Sequence, residues 1–115
     1  MATTQPSDQH INLSQIVRDF REIAALNDWQ AYHTPKNLAS AVAVEASELL
    51  AEFQWLTAEQ SHSLSAEQKQ RIAYEMADVL MYLGELSEQL AIDLGAAINA
   101  KIQLNKLRFS GENQG

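Results

Sequence analysis

Two acidic pairs at the same interval, Glu45-x-x-Glu48 and Glu75-x-x-Asp78, interrupt stretches otherwise dominated by apolar residues. On an α-helix, residues three apart share a face about one turn high, so each pair projects two carboxylates side by side. Two such helices packed together present four. Glu45 falls within the apolar stripe Leu38, Val42 and Leu49, while Glu75, Asp78, Tyr82 and Glu85 run beside the apolar stripe Ile72, Met76, Val79, Leu80, Leu83, Leu86 and Leu90. Carboxylates held at the edge of a core need either a proton or a cation. The pattern therefore reads as a metal site, against the alternative of four solvated surface acids.

Ligand hardness narrows the metal. The chain has no cysteine, and neither acidic pair carries the Glu-x-x-His spacing of a di-iron carboxylate bundle. His10, His33 and His62 are expected in loops. An all-oxygen set selects Mg²⁺, with Mn²⁺ as a possible substitute, and Mg²⁺ commonly completes its octahedron with substrate phosphates. A phosphate ester is the expected ligand. Glu45, Glu48, Glu75 and Asp78 are the candidate metal ligands, and Glu48 is the candidate base.

These side chains must be positioned by helices, because strand signals are nearly absent. At 115 residues the chain reads as one domain over 11–110, with flexible tails at 1–10 and 111–115. Asn12 offers an N-cap, with Gln15 placed for a capping box, to a first helix carrying Leu13, Ile16, Val17, Phe20, Ile23 and Ala24 on one face and ending near Asn27. Thr34-Pro35 opens a second helix, expected to reach Trp55 and to be buried on several sides. The Ser-rich stretch 57–65 reads as a loop, and Ser65 with Gln68 forms a capping box for a third helix to about Leu90. That helix is longer than the domain needs to cover its own core, so part of it is expected to pack on another subunit. Asp93 caps a fourth helix to about Arg108.

A formal net charge of −7 argues against a nucleic-acid partner. The first ten residues lack the apolar core of a signal peptide and no stretch is long enough to cross a bilayer, so a cytoplasmic location is expected.

With its spacing of 26 residues between the pairs, Glu45-x-x-Glu48 and Glu75-x-x-Asp78 resembles the signature of the MazG-like all-α nucleotide pyrophosphohydrolases. Asp28-Trp29 through His33, Pro35, Asn37-Leu38, Phe53-Gln54-Trp55, Asp78-Val79-Leu80 with Tyr82, and Lys101 with Asn105 are similar to the dCTP pyrophosphatase branch. The resemblance covers about Leu13 to Phe109. It implies a four-helix, bundle-like protomer assembled as a dimer or tetramer, with the tetramer favoured. It also implies Mg²⁺-dependent cleavage of (deoxy)nucleoside triphosphates, with dCTP or modified dCTP foremost, to monophosphate and pyrophosphate in nucleotide-pool sanitation.

Further roles follow from the residues and the resemblance together. A triphosphate beside four carboxylates needs cations beyond one metal. Lys101, with Asn105 as hydrogen-bonding partner, is supported by the resemblance, whereas Lys36, Lys106 and Arg108 rest on position. Trp29 and Trp55 flank the second helix and could stack on a nucleobase. Periodicity alone puts Trp55 in the core; the resemblance puts it at the base. His33 is expected to hydrogen-bond the base, and Tyr82 to pack against the sugar and disfavour a 2′-hydroxyl. Two rival readings stand beside this one. The chain could be a non-enzymatic helical module whose acids make interhelical salt bridges, though eight basic residues leave few partners for them. It could also hydrolyse another phosphoanhydride, such as phosphoribosyl-ATP.

Overall fold

Local sequence signals account for where each helix begins in the computed structural model, which describes residues 10–110. The element order is α1 (Leu13–Leu26), a 3₁₀ turn (Gln30–Tyr32), α2 (Pro35–Ala51), a second 3₁₀ turn (Gln60–His62), α3 (Ala66–Gln89) and α4 (Leu94–Arg108). The described residues contain no strand, so the architecture is all-α as expected. The tails anticipated at 1–10 and 111–115 lie, His10 apart, outside the described residues.

Each start carries its cap. Asn12, Thr34, Ser65 and Asp93 accept hydrogen bonds from the backbone N–H groups of Gln15, Asn37, Gln68 and Ala96 respectively. At Ser65 the box is complete, because Gln68 returns a bond to the Ser65 N–H. At Asn12 it is not. Gln15 turns instead to Asp19 and Arg18, where a charged partner one turn away outcompetes the cap.

The ends of α1 and α3 hold a feature that the sequence conceals. Both close in Schellman motifs: Trp29 N–H donates to Ala24 and Asp28 N–H to Ala25, and likewise Ile92 N–H to Ser87 and Ala91 N–H to Glu88. The left-handed positions are Asp28 (φ 57°) and Ala91 (φ 55°), where glycine is usual. The first motif aims Trp29 back toward the site described below.

Helices α2 and α3 form an antiparallel hairpin. Glu52 pairs with Arg71 at its closed end, while Gln89 of α3 reaches His33 just before α2 at the other. Leu38 is wholly buried and Ile72 nearly so. Helix α1 crosses α3 at Gly84, where an added Cβ would come within 3.0 Å of Leu13 and 3.2 Å of Val17. Val17, Phe20 and Ala24 complete the small core there.

Three expectations need correction. The second helix stops at Ala51, and residues 52–55 continue as turns, with the N–H groups of Glu52, Phe53 and Leu56 bonding three residues back. Nor is it buried on several sides, since only Leu38 is buried while Val44 and Leu50 stand exposed. Likewise α3 keeps Glu85 inside while Met76 and Leu90 of its apolar stripe lie open. No residue of α4 is buried, and Ile98, Ile102, Leu104 and Leu107 are exposed along it. One chain thus leaves much of its apolar surface uncovered, more than isolated surface hydrophobes account for. No described helix is long and apolar enough to cross a membrane.

Candidate metal and nucleotide site

The hairpin brings both acidic pairs onto facing surfaces. Carboxylate oxygens of Glu45, Glu48 and Glu75 lie within 4.8 Å of one another. Asp78, one turn beyond Glu75, borders this trio and adds its charge to it. None of the four is in an ion pair among the described residues, where Arg21–Glu85 and Arg71–Glu52 are the pairs formed. The interhelical salt bridges that a purely structural role would require are therefore missing at this cluster.

Glu75 Oε1 is buried without a hydrogen-bond partner, an expensive state for a carboxylate oxygen unless something else meets it. Burial pushes the Glu75 carboxyl up, and the charges of Glu48, Asp78 and Glu52 push the same way. The Glu45 carboxyl is also raised, by burial first and then by Glu48, Asp78 and Glu75. A hard divalent cation would relieve both the orphaned oxygen and the repulsion, and the all-oxygen donor set suits one. The acidic cluster is thus able to hold a metal ion.

Against the cluster lies a cavity of about 250 Å³ lined by Phe20, Ile23, Trp29, Glu45, Asp78, Met81 and Tyr82. It joins two of the carboxylates to three aromatic rings. Its volume lies just under the roughly 300 Å³ at which small-molecule sites usually begin. Burial raises the Tyr82 phenol, with Glu45, Asp78 and Glu48 adding to the effect, and so keeps it protonated as a donor. A larger cavity of about 520 Å³, bounded by Ile11, Leu49, Met76, Val79, Leu80 and Leu83, has an apolar lining with no group to orient a ligand.

The remaining sequence candidates distribute unevenly. Trp29 lines the cavity, half in and half out. His33 lies behind the lining, its ring stacked on Phe20, edge-on to Tyr82 and tilted against Trp29. Lys36 is exposed in the first turn of α2. Trp55 is 87% exposed beyond the end of α2, neither core nor cavity wall within one chain. Lys101, Asn105 and Arg108 sit on α4, away from the cavity lining, and Arg108 lies over the Phe109 ring.

Sequence reasoning missed Phe20, Arg21 and Gln89. Phe20 reads as an ordinary core position, yet one edge of it faces the cavity. Arg21 finds Glu85 64 residues away, a pairing that helical periodicity cannot reveal.

The fold and the site define a class: an all-α protein with a carboxylate cluster beside an aromatic cavity. The comparisons agree. A pyrophosphatase from Archaeoglobus fulgidus superposes with a TM-score of 0.77 at 31% identity, over 88% of this chain and 94% of that one. The dCTP pyrophosphatase 1 of Homo sapiens is 35% identical over 99 residues, which is 84% of this chain and 58% of that protein. That of Bos taurus is 34% identical over 99 residues, 84% of this chain and 59% of its own. No protein-family model matches the chain. The chain belongs to the MazG-like all-α pyrophosphatases. It spans somewhat under two thirds of the length of those mammalian relatives.

Proposed function

We propose that this chain is a Mg²⁺-dependent nucleoside triphosphate pyrophosphohydrolase that takes dCTP, or a modified dCTP, to the monophosphate and pyrophosphate. The observation that carries the reading is the orphaned Glu75 Oε1 beside Glu45 and Glu48, a cluster of acids without basic partners among the described residues, at the mouth of an aromatic cavity. The names of the mammalian and archaeal relatives supply the substrate class and the anhydride bond.

Glu45, Glu48, Glu75 and Asp78 would hold the metal, Mg²⁺ or in its place Mn²⁺. When bound, the ion would lower the pKa of a water and offset charge on the phosphoryl oxygens. Glu48, the exposed member of the trio, would take the proton of the water attacking the α-phosphorus. Trp29 would stack on the base with an edge of Phe20 beside it, and Tyr82 would pack where the sugar carries a 2′-hydroxyl.

Lys101, Asn105 and Arg108 serve the phosphates only if α4 reaches the site of a second copy, because their own chain leaves them outside the cavity. The open apolar faces of α2, α3 and α4 support a homo-oligomer, and the resemblance to the family favours a tetramer over a dimer. In that form the protein would remove surplus or non-canonical nucleotides in the cytoplasm.

The deciding experiment incubates the full chain with each dNTP, each NTP and phosphoribosyl-ATP, with Mg²⁺, with Mn²⁺ or with EDTA, and identifies the leaving group. Metal-dependent pyrophosphate release with preference for dCTP is expected. Orthophosphate release, or no turnover of any substrate with either metal, overturns the reading.

A further inference from the structure

The polar stripe of α3 continues past the acidic cluster. Asp78, Tyr82, Glu85 and Gln89 are spaced by four, three and four residues and so share one narrow face of the helix. Glu85 is only 3% exposed, yet it is charged and held from two sides. Arg21 of α1 grips it bidentately, Nε to Oε1 at 2.7 Å and Nη2 to Oε2 at 3.1 Å. From α3, the Gln89 side-chain amide donates to Glu85 Oε2 at 2.8 Å and to the His33 backbone oxygen at 2.6 Å.

His33 is thus tied to α1 through two side chains and a carboxylate. Its ring stands behind the cavity wall, 5.4 Å from Phe20, 6.1 Å from Tyr82 and 6.3 Å from Trp29, centroid to centroid. All three of those rings line the cavity. The segment is pinned at a second point by Asn37, whose amide donates to the Tyr32 oxygen. Glu85 is buried while Arg21 stays half exposed, so the pair fixes the direction in which the Glu85 carboxylate faces Gln89. Burial alone would push the Glu85 carboxyl up, but the hydrogen bonds from Arg21 and Gln89 outweigh it and leave the group below its ordinary range.

We infer that Arg21, Glu85 and Gln89 are positioning residues, a clamp that fixes His33 and through it the three aromatic rings that select the nucleobase. The inference rests on the nucleotide reading of the cavity. Without the clamp, the Asn37–Tyr32 bond alone holds the segment, so His33 shifts and the rings behind which it stands lose their common support.

Gln89→Ala tests this at an exposed position while leaving the Arg21–Glu85 pair in place. Two measurements are needed: the ring-proton NMR shifts of His33 without nucleotide, and steady-state kinetics with dCTP and dTTP. The expected result is a displacement of the His33 ring signals toward exposed-histidine values. With it comes a rise in KM for dCTP of about fivefold, a loss of about fivefold in the dCTP-to-dTTP ratio of kcat/KM, and a fall in kcat of less than about twofold. Unmoved His33 signals overturn the clamp whatever the kinetics. Moved signals with unchanged KM and selectivity overturn its role in recognition. A wild-type chain that hydrolyses no nucleotide overturns the reading of the site itself, an outcome told apart from the others before any variant is made.

Discussion

His33 lies flat against Phe20, with ring centroids 5.4 Å apart and planes 12° from parallel, and the opposite end of this aromatic group opens into the cavity beside Glu45 and Asp78. A residue of the core and a residue of a loop therefore share one structural unit. Replacing Phe20 by Leu keeps most of the volume and removes the stack. We expect a loss of about 1 to 2 kcal/mol in stability by urea unfolding, together with a KM for dCTP raised severalfold. A variant that loses stability with KM unchanged would confine Phe20 to the core.

Glu45→Gln separates charge from shape at the acidic cluster. It removes one of the repelling carboxylates, so the metal-free variant should melt above the wild type, while turnover falls by at least about a hundredfold. Mg²⁺ should raise the melting temperature of the wild type by several degrees, because about tenfold excess over Kd contributes about 1.4 kcal/mol to a domain of this size. The variant should show little of that rise. Equal Mg²⁺ responses in both proteins would remove Glu45 from the ligand set.

The pH dependence of stability has two limbs of opposite sign. Glu45 and Glu75 have folded pKa values raised above those of the unfolded chain. Their contribution is fully present below the unfolded value and is lost as pH rises through the folded one. Glu85 is lowered, so its contribution is present above the unfolded value and is lost as pH falls through the folded one. In EDTA, the urea midpoint should rise as pH is taken from neutral down into the carboxylate range and then drop in stronger acid. Mg²⁺ should flatten the first limb and leave the second. A monotonic fall from neutral pH downward would contradict the raised pair.

Tyr82 stands between the acids and the buried clamp, its ring edge-on to Phe20 at 5.1 Å. Tyr82→Ala opens the space proposed for the sugar. The dCTP-to-CTP ratio of kcat/KM should fall by about tenfold, in keeping with the limited power of packing alone to reject an added hydroxyl. An unchanged ratio would place the sugar elsewhere.

Ala91 occupies the left-handed position of the α3 C-terminal motif with φ 55°. Glycine there removes the clash between Cβ and backbone, so Ala91→Gly should stabilise the chain by about 1 kcal/mol, measured by urea unfolding. A loss of stability would mean that the added backbone freedom of the unfolded chain outweighs the strain.

Much of this protein is legible in its sequence because the relevant physics is local. Asn12, Thr34, Ser65 and Asp93 mark the helix starts through caps satisfied within three residues. The i, i+3 spacing of Glu45 with Glu48 and Glu75 with Asp78 places each pair on one helical face before any tertiary contact forms. That the two pairs converge depends on the antiparallel register of α2 and α3, which joins residues 27 or more positions apart and which only folding decides. The same is true of Arg21 and Glu85, whose charges read as surface groups until α1 crosses α3 at Gly84. The Schellman turn that aims Trp29 is hidden because Asp28 stands where a glycine would have announced it. Apolar periodicity in α3 identified which residues seek cover, but not what covers them. Within one chain, the polar stripe from Asp78 to Gln89 faces α1 and α2, and the apolar stripe is left partly open, because burial follows the packing available and not the periodicity alone.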